Sequence, residues 1–244
     1  MTILEVEGVS NIRDVGGMPA NGGRIRSGVL LRSGQLSGTT ASGAAALRAQ
    51  VRHIVDLRDG EEVAAEPTEI EGPDTTHLPL FLGSVRSFFE ADTSLEDLYL
   101  HLLEESGDRL VDAIRIIAAG ECTLVHCTVG KDRTGVTVAL ALAAVGADRE
   151  AVIADYALTE SQLPAQRTRW IAEYLRTQHP EAVHAVALAT QSPAPVMRRL
   201  LQQVDERWGS AAAYLRAQGM TEAELAALVA ALVEPASSTE SSRR

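Results

Sequence analysis

The sequence predicts an α/β fold: a central, mostly parallel sheet flanked by helices, with a helical C-terminal half. Three observations predict it. Short apolar runs rich in Val, Ile and Leu recur as far as His126 and alternate with turns and helix-spaced segments, the pattern of strands joined by helices. One such run, Thr123-Leu124-Val125, passes through a loop directly into an apolar, alanine-rich stretch at 136–145. Beyond that stretch, apolar residues keep helical spacing almost to the C-terminus.

Taken in order, Asn11-Ile12-Arg13-Asp14-Val15-Gly16-Gly17 opens the ordered part. Gly22-Gly23 signals a turn between two short strand candidates, 17–19 and 24–26. Val29-Leu30-Leu31-Arg32 reads as a strand ending at Ser33-Gly34, and Thr40 is placed to cap a helix over 41–50. Residues 53–57 read as a strand with Asp56 near its carboxyl end, the side that lines the crevice in open α/β sheets. Residues 58–62 turn into a short helix, and 75–80 read as a further strand. Leu95, Leu98 and Leu102, then Leu110, Ile114 and Ile117, mark two helices. Asp148 caps a helix over 151–158. Trp170, Ile171, Tyr174 and Leu175 form the apolar face of another, with Arg167, Arg169 and Arg176 on its other side. Helices over 196–208, 211–218 and 221–233 complete the chain. Residues 1–234 read as a single domain, and the Ser-rich 235–244 as a disordered tail.

The chemistry is concentrated in His126-Cys127-Thr128-Val129-Gly130-Lys131-Asp132-Arg133-Thr134-Gly135. A strand that turns tightly into a helix gathers backbone N–H groups around one point, and the helix N-terminus adds about half a positive charge there. Such a cradle binds phosphate or another tetrahedral oxyanion. Cys127 sits beneath it, in a field that favours thiolate; helix N-termini and cationic neighbours bring a cysteine pKa to ~3.5–7.5. A thiolate there can attack phosphorus. Arg133 can grip two equatorial oxygens with a planar fork that lysine lacks. Thr134 can donate its hydroxyl to the departing thiolate, and Thr128, Val129, Gly130 and Lys131 supply the rest of the substrate-binding loop with His126. A Walker A loop would need Gly at 125 and Ser or Thr at 132, where Val125 and Asp132 stand. No Cys-x2-Cys or His-x3-His spacing accompanies His126 and Cys127, so no metal is expected, and no cofactor.

Composition bounds the reading. The chain has 244 residues and a formal charge of −11, which argues against a nucleic-acid partner. Lys131 is the only lysine among 22 cationic residues, and it lies inside the anion loop. Cys122 and Cys127 are the only cysteines. With one as nucleophile, a structural disulfide is excluded, which fits a reducing, cytoplasmic setting. A protective disulfide from Cys122 to an oxidised Cys127 is a minor alternative to a plain strand-entry role. No run approaches the length of a membrane span, and the first residues carry no ordinary signal peptide, leaving export by another route open.

The loop is the Cys-x5-Arg signature of the protein tyrosine phosphatase superfamily, and the chain resembles the bacterial tyrosine phosphatase family 3, the dual- and triple-specificity branch. Asn11–Gly17, Leu31-Arg32-Ser33-Gly34, Val55-Asp56-Leu57-Arg58 and Asp155-Tyr156 resemble its other blocks. The resemblance implies a phosphatase-like α/β fold and a two-step reaction. Cys127 becomes a phosphocysteine that water then hydrolyses, while Arg133 and the loop stabilise the equatorial oxygens. It implies a phosphoprotein or phosphoinositide substrate, with phosphate or sulfate able to occupy the loop. The Trp-Pro-Asp loop of eukaryotic-type members is missing, since Ile171 and Gly209 follow the two tryptophans. Asp132 is therefore the first choice of general acid, Asp56 the second and Asp59 the third, with loop bracing as the alternative for Asp132 and the favoured role for Asp56 and Asp59. His126 reads as an orienting residue that helps lower the Cys127 pKa, and Arg13 and Asp14 as structural. The family also implies a helical lid, for which 160–190 are the candidates. The rival readings are a non-catalytic phosphate-binding module and another Cys-loop enzyme, such as an arsenate reductase or a sulfur transferase.

Overall fold

The computed structural model describes residues 1–80 and 92–236. Its larger sheet has six strands in the order β1-β2-β5-β8-β6-β7. These are β1 (Thr2–Ile3), β2 (Arg13–Asp14), β5 (Leu30–Ser33), β6 (His53–Asp56), β7 (Asp74–His77) and β8 (Thr123–His126). The last four run parallel, and β1 and β2 add an antiparallel edge. This is the mostly parallel sheet the sequence predicts. Register puts Ser33, Asp56 and His126 side by side at the carboxyl ends of β5, β6 and β8.

Alternation along the strands divides the core. Leu30, Val55 and Val125 face the larger cluster, while Leu31, Ile54 and Leu124 face the other side. The second face is covered by α1 (Ala41–Gln50) through Leu47, with Thr40 accepting from the Gly43 N–H as its cap. The first is covered by α3 (Leu95–Glu105), α4 (Gly107–Ala118), α5 (Asp132–Ala144) and α6 (Arg149–Gln162), whose apolar residues fill the larger cluster. A short α2 (Gly60–Ala65) follows β6. α5 is buried almost all round, as its apolar composition requires. Asp148 caps α6 as expected, through the Ala151 N–H.

The C-terminal half continues with α7 (Ala165–Gln178), α8 (Ala185–Thr190), α9 (Ala194–Trp208), α10 (Ala211–Ala217) and α11 (Glu222–Leu232). α7 departs from its expected packing. Leu175 is buried, but Trp170 and Tyr174 stack on each other in solvent, 64% and 48% exposed. α7 and α8 make a small cluster of their own around Leu175, Ala182 and Ala185. A second sheet joins β3 (Pro19–Ala20) and β4 (Gly23–Ile25), the two short strands expected about the Gly22-Gly23 turn, to an unexpected β9 (Val233–Pro235). It corrects the start of the expected tail: Pro235 belongs to β9, and the Ala236 N–H donates to Gly22 O at 3.0 Å. Pro235 is tolerated because β9 is an edge strand. The rest of that tail, 237–244, lies outside the described residues.

Candidate active site

β8 delivers Cys127 to the carboxyl edge of the sheet, and α5 begins five residues later at Asp132. Between them, the loop's carbonyls are held from behind. Thr128 O accepts from the Gln35 N–H at 3.0 Å, and Val129 O from Asn11 Nδ2 at 3.1 Å. Gly130 O accepts from Asn11 Nδ2 at 3.1 Å and from Arg32 Nη2 at 2.8 Å. In a trans peptide the C=O and the following N–H point in opposite directions. Pulling these three carbonyls outward therefore turns the N–H groups of Val129, Gly130 and Lys131 toward the concave side. Gly130 has φ +72°, and a Cβ there would lie 2.2 Å from Ser33 O, so only glycine fits. No side chain caps α5, which leaves its first N–H groups for an anion.

Arg133 is half expected and half new. Its side chain reaches the loop, but its two terminal nitrogens are held by Glu62, Nη1 to Oε2 at 2.5 Å and Nη2 to Oε1 at 2.7 Å. Nη1 also donates to Leu57 O at 3.3 Å. End-on pairing leaves the Nε–Nη2 edge, where, among the described residues, only a 3.4 Å contact to Thr128 Oγ1 competes. Burial works against the Arg133 charge, but the hydrogen bonds it donates to Glu62 and the charges of Cys127, Glu62 and Asp132 raise its pKa. Burial likewise opposes the Glu62 charge, and Arg133 brings that carboxyl down to about 2. Thr134 is fully buried and its Oγ1 has no partner among the described residues, which leaves the hydroxyl for the thiolate.

His126 and Asp56 lie beneath the loop. Burial lowers His126 to about 4 against the opposing charge of Asp56, so the imidazole is neutral near neutral pH. Its Nδ1 lies 3.3 Å from Cys127 O. That contact places the ring against the first carbonyl of the loop, and the neutral imidazole brings no positive charge to Cys127. Asp56 is engaged by Arg58, with Nη2 on Oδ2 at 2.7 Å and Nε on Oδ1 at 3.0 Å. Burial raises its pKa, and Arg58 and His126 together more than offset that. At 4% exposure and held by Arg58, Asp56 is placed as a brace rather than as the second candidate acid. Asp59 takes the structural role favoured for it: it caps α2 through the Glu62 N–H and closes a capping box with Glu62.

Asp132 stands at the first position of α5 with its side chain 21% exposed. Its Oδ1 accepts from Lys131 Nζ at 2.6 Å and from Tyr99 Oη at 2.8 Å. Oδ2 has no partner among the described residues, so one oxygen is free to meet a leaving group. Lys131 is 1% exposed, and its ammonium lies on Asp132.

A profile of the tyrosine phosphatase family matches residues 4–234. The chain belongs to the tyrosine phosphatase family. It is 29% identical over 269 residues to the triple specificity protein phosphatase PtpB of Mycobacterium tuberculosis, covering 91% of this chain and 96% of that protein. It is 30% identical over 233 residues to a putative tyrosine-protein phosphatase of Cupriavidus necator, covering 87% and 82%. Among solved structures, TpbA of P. aeruginosa aligns with a TM-score of 0.37 and 20% identity, covering 67% of this chain and 87% of that one. The family membership makes this chain a cysteine-dependent phosphatase.

The outer blocks of this tyrosine phosphatase converge behind its loop. Asp155 accepts from Arg13 Nε at 2.7 Å and from Arg32 Nη1 at 2.6 Å, all three buried. Burial opposes the Asp155 charge, and Arg32 and Arg13 hold its carboxyl below the usual range. Arg13 also binds Asn11, which itself holds the loop, and Arg32 holds Gly130. These residues are the mould of the anion cradle. Asp14 is structural as expected, accepting from the Gly16 and Gly28 N–H groups at 2.8 Å each. Val129 lines a small cavity with Leu163, Pro164, Arg167 and Ile171, which sets the start of α7 beside the phosphatase loop. No described helix is long and apolar enough to cross a membrane.

Sequence reasoning missed Glu62 and Tyr99. Glu61-Glu62 reads as a solvated acidic turn. The available signal was Asp59-x-x-Glu62, a capping box that fixes the glutamate relative to the sheet. Tyr99 falls in the apolar spacing of α3, and nothing local distinguishes it from core.

Proposed function

We propose that this phosphatase hydrolyses phosphate monoesters through a phosphocysteine, with phosphotyrosine as the principal substrate. Phosphoserine, phosphothreonine and phosphoinositides are further substrates. The observation that carries the reading is the loop held by its carbonyls from behind, which by peptide geometry turns its N–H groups to the concave side, with both terminal nitrogens of Arg133 clamped by Glu62. Cys127 forms the bond to phosphorus as the ester oxygen leaves with a proton from Asp132. Water then attacks the phosphocysteine, Asp132 takes its proton, and Cys127 departs as thiolate toward the Thr134 hydroxyl. Arg133 and the N–H groups hold the equatorial oxygens in both steps. A binding module would need neither Cys127 nor an unpartnered Thr134. Residues 1–234 act as a single phosphatase domain, with α7 and α8 as its lid, in a reducing, cytoplasmic setting that keeps Cys127 a thiol.

The test is a turnover screen of the purified protein on phosphotyrosine peptides, phosphoserine peptides and phosphoinositide vesicles, with Cys127→Ser as the blank. We expect turnover that is lost in Cys127→Ser while phosphate binding survives. Turnover in that variant close to wild type would rule out cysteine catalysis.

A further inference from the structure

We infer that Tyr99 is a positioning residue for the leaving-group proton, held in that role by Tyr156. The inference rests on Asp132 as the general acid, and it adds which oxygen of Asp132 carries the proton. Oδ1 is filled by two donors, Tyr99 Oη at 2.8 Å and Lys131 Nζ at 2.6 Å. A proton on this carboxyl therefore resides on Oδ2. Tyr99 Oη also lies 2.7 Å from Tyr156 Oη. A phenol has one proton, and that of Tyr99 goes to Asp132, so Tyr156 donates to Tyr99. The chain runs one way, from Tyr156 through Tyr99 to Asp132.

Three helices build this chain. Tyr99 comes from α3, Tyr156 from α6 and Asp132 from the first turn of α5. The rings are buried and meet edge to face, with centroids 6.0 Å apart. Gly135 makes room for them, since a Cβ there would lie 3.0 Å from Tyr156 Cδ2. Burial, and then the charge of Asp132, raises the pKa of both phenols, so both remain donors at working pH. With Oδ1 fixed, the rotation that presents Oδ2 is fixed too. In the first step Oδ2–H gives its proton to the ester oxygen as the P–O bond breaks and the P–S bond forms. In the second, Oδ2 takes the proton of the attacking water as the P–S bond breaks.

The test compares an alkyl phosphate, which needs the proton, with an activated aryl phosphate, which hardly does. Tyr99→Phe keeps the ring and removes the donor. We expect kcat on the alkyl substrate to fall about tenfold more than on the aryl one, the net worth of one hydrogen bond, with KM unchanged for both. In an Asp132→Asn background, Tyr99→Phe should add nothing further to that ratio. An equal fall on both substrates would make Tyr99 packing only and overturn the inference. If Asp132→Asn itself leaves the alkyl-to-aryl ratio unchanged, the underlying reading of Asp132 fails instead. Should Tyr99→Phe not fold, Tyr156→Phe decides: it touches Asp132 only through Tyr99, and an unchanged ratio there overturns the inference.

Discussion

Glu62 clamps both terminal nitrogens of Arg133, at 2.5 and 2.7 Å, and so fixes the plane of the guanidinium. The same carboxylate closes the capping box of α2, so the orientation of Arg133 is tied to the chain just after β6. Glu62→Ala should lower kcat by about tenfold or more while KM holds or falls, because losing a charge-assisted partner costs about 1.5–3 kcal/mol of positioning. Glu62→Gln keeps one acceptor and should lose less. Steady-state kinetics check this, and wild-type kcat in Glu62→Ala would show that Arg133 needs no clamp.

Cys122 and Cys127 stand at opposite ends of β8. Five residues of extended chain separate their Cα atoms by about 16 Å, whereas a disulfide needs them within about 7 Å. The strand cannot fold back, because β5 and β6 pair along both its edges. This rules out a protective bond between them. Burial also raises the Cys122 thiol to about 11. Cys122→Ser should therefore leave the rate of peroxide inactivation and its reversal by thiol unchanged. Mass spectrometry of the oxidised protein should find no bond between the two cysteines; finding one would require β8 to open.

The strand, loop and first turn of α5 were legible in the sequence because their chemistry is local. Cys127, Arg133 and Thr134 are fixed relative to one another by one tight turn. The mould behind them was legible only as separate blocks. Asn11, Arg13 and Arg32 each carried a motif, but Asp155, the acceptor shared by Arg13 and Arg32, lies more than 120 residues further along. Asp56 looked catalytic because strand position alone cannot show that Arg58, two residues on, folds back onto it. β9 was hidden because Val233-Glu234-Pro235 reads as a fraying helix end, and only pairing with β4 makes it a strand.

His126 sets an acid limit on stability. Its folded-state pKa is about 4 against an ordinary 6.5, lowered first by burial. Below 6.5 the unfolded chain takes up a proton that the folded chain refuses, so stability falls as pH drops toward 4. The whole fall is about 3 kcal/mol at most. Carboxylates lowered by arginine partners, such as Glu62 at about 2, lose their contribution only at lower pH, from 4.5 downward. Urea unfolding at pH 7 and pH 5 should show the loss in wild type and a flatter response in His126→Gln. Equal slopes in the two proteins would assign the acid loss elsewhere.

Lys131 links substrate choice to acid catalysis. Its ammonium rests on Asp132 Oδ1 at 2.6 Å, buried, so it does not stand ready for a second phosphate. A substrate carrying one would have to draw Nζ off Oδ1, and Tyr99 would then hold that oxygen alone. Phosphotyrosine has a single phosphate and leaves the pair intact. Lys131→Ala should therefore lower kcat/KM on phosphoinositide vesicles about tenfold more than on a phosphotyrosine peptide, the worth of one hydrogen bond to a charged group. A fall of equal size on both substrates would mean that Lys131 acts only through Asp132. In that case the same variant should reproduce the leaving-group dependence of Tyr99→Phe, because both would have removed a donor from the same oxygen.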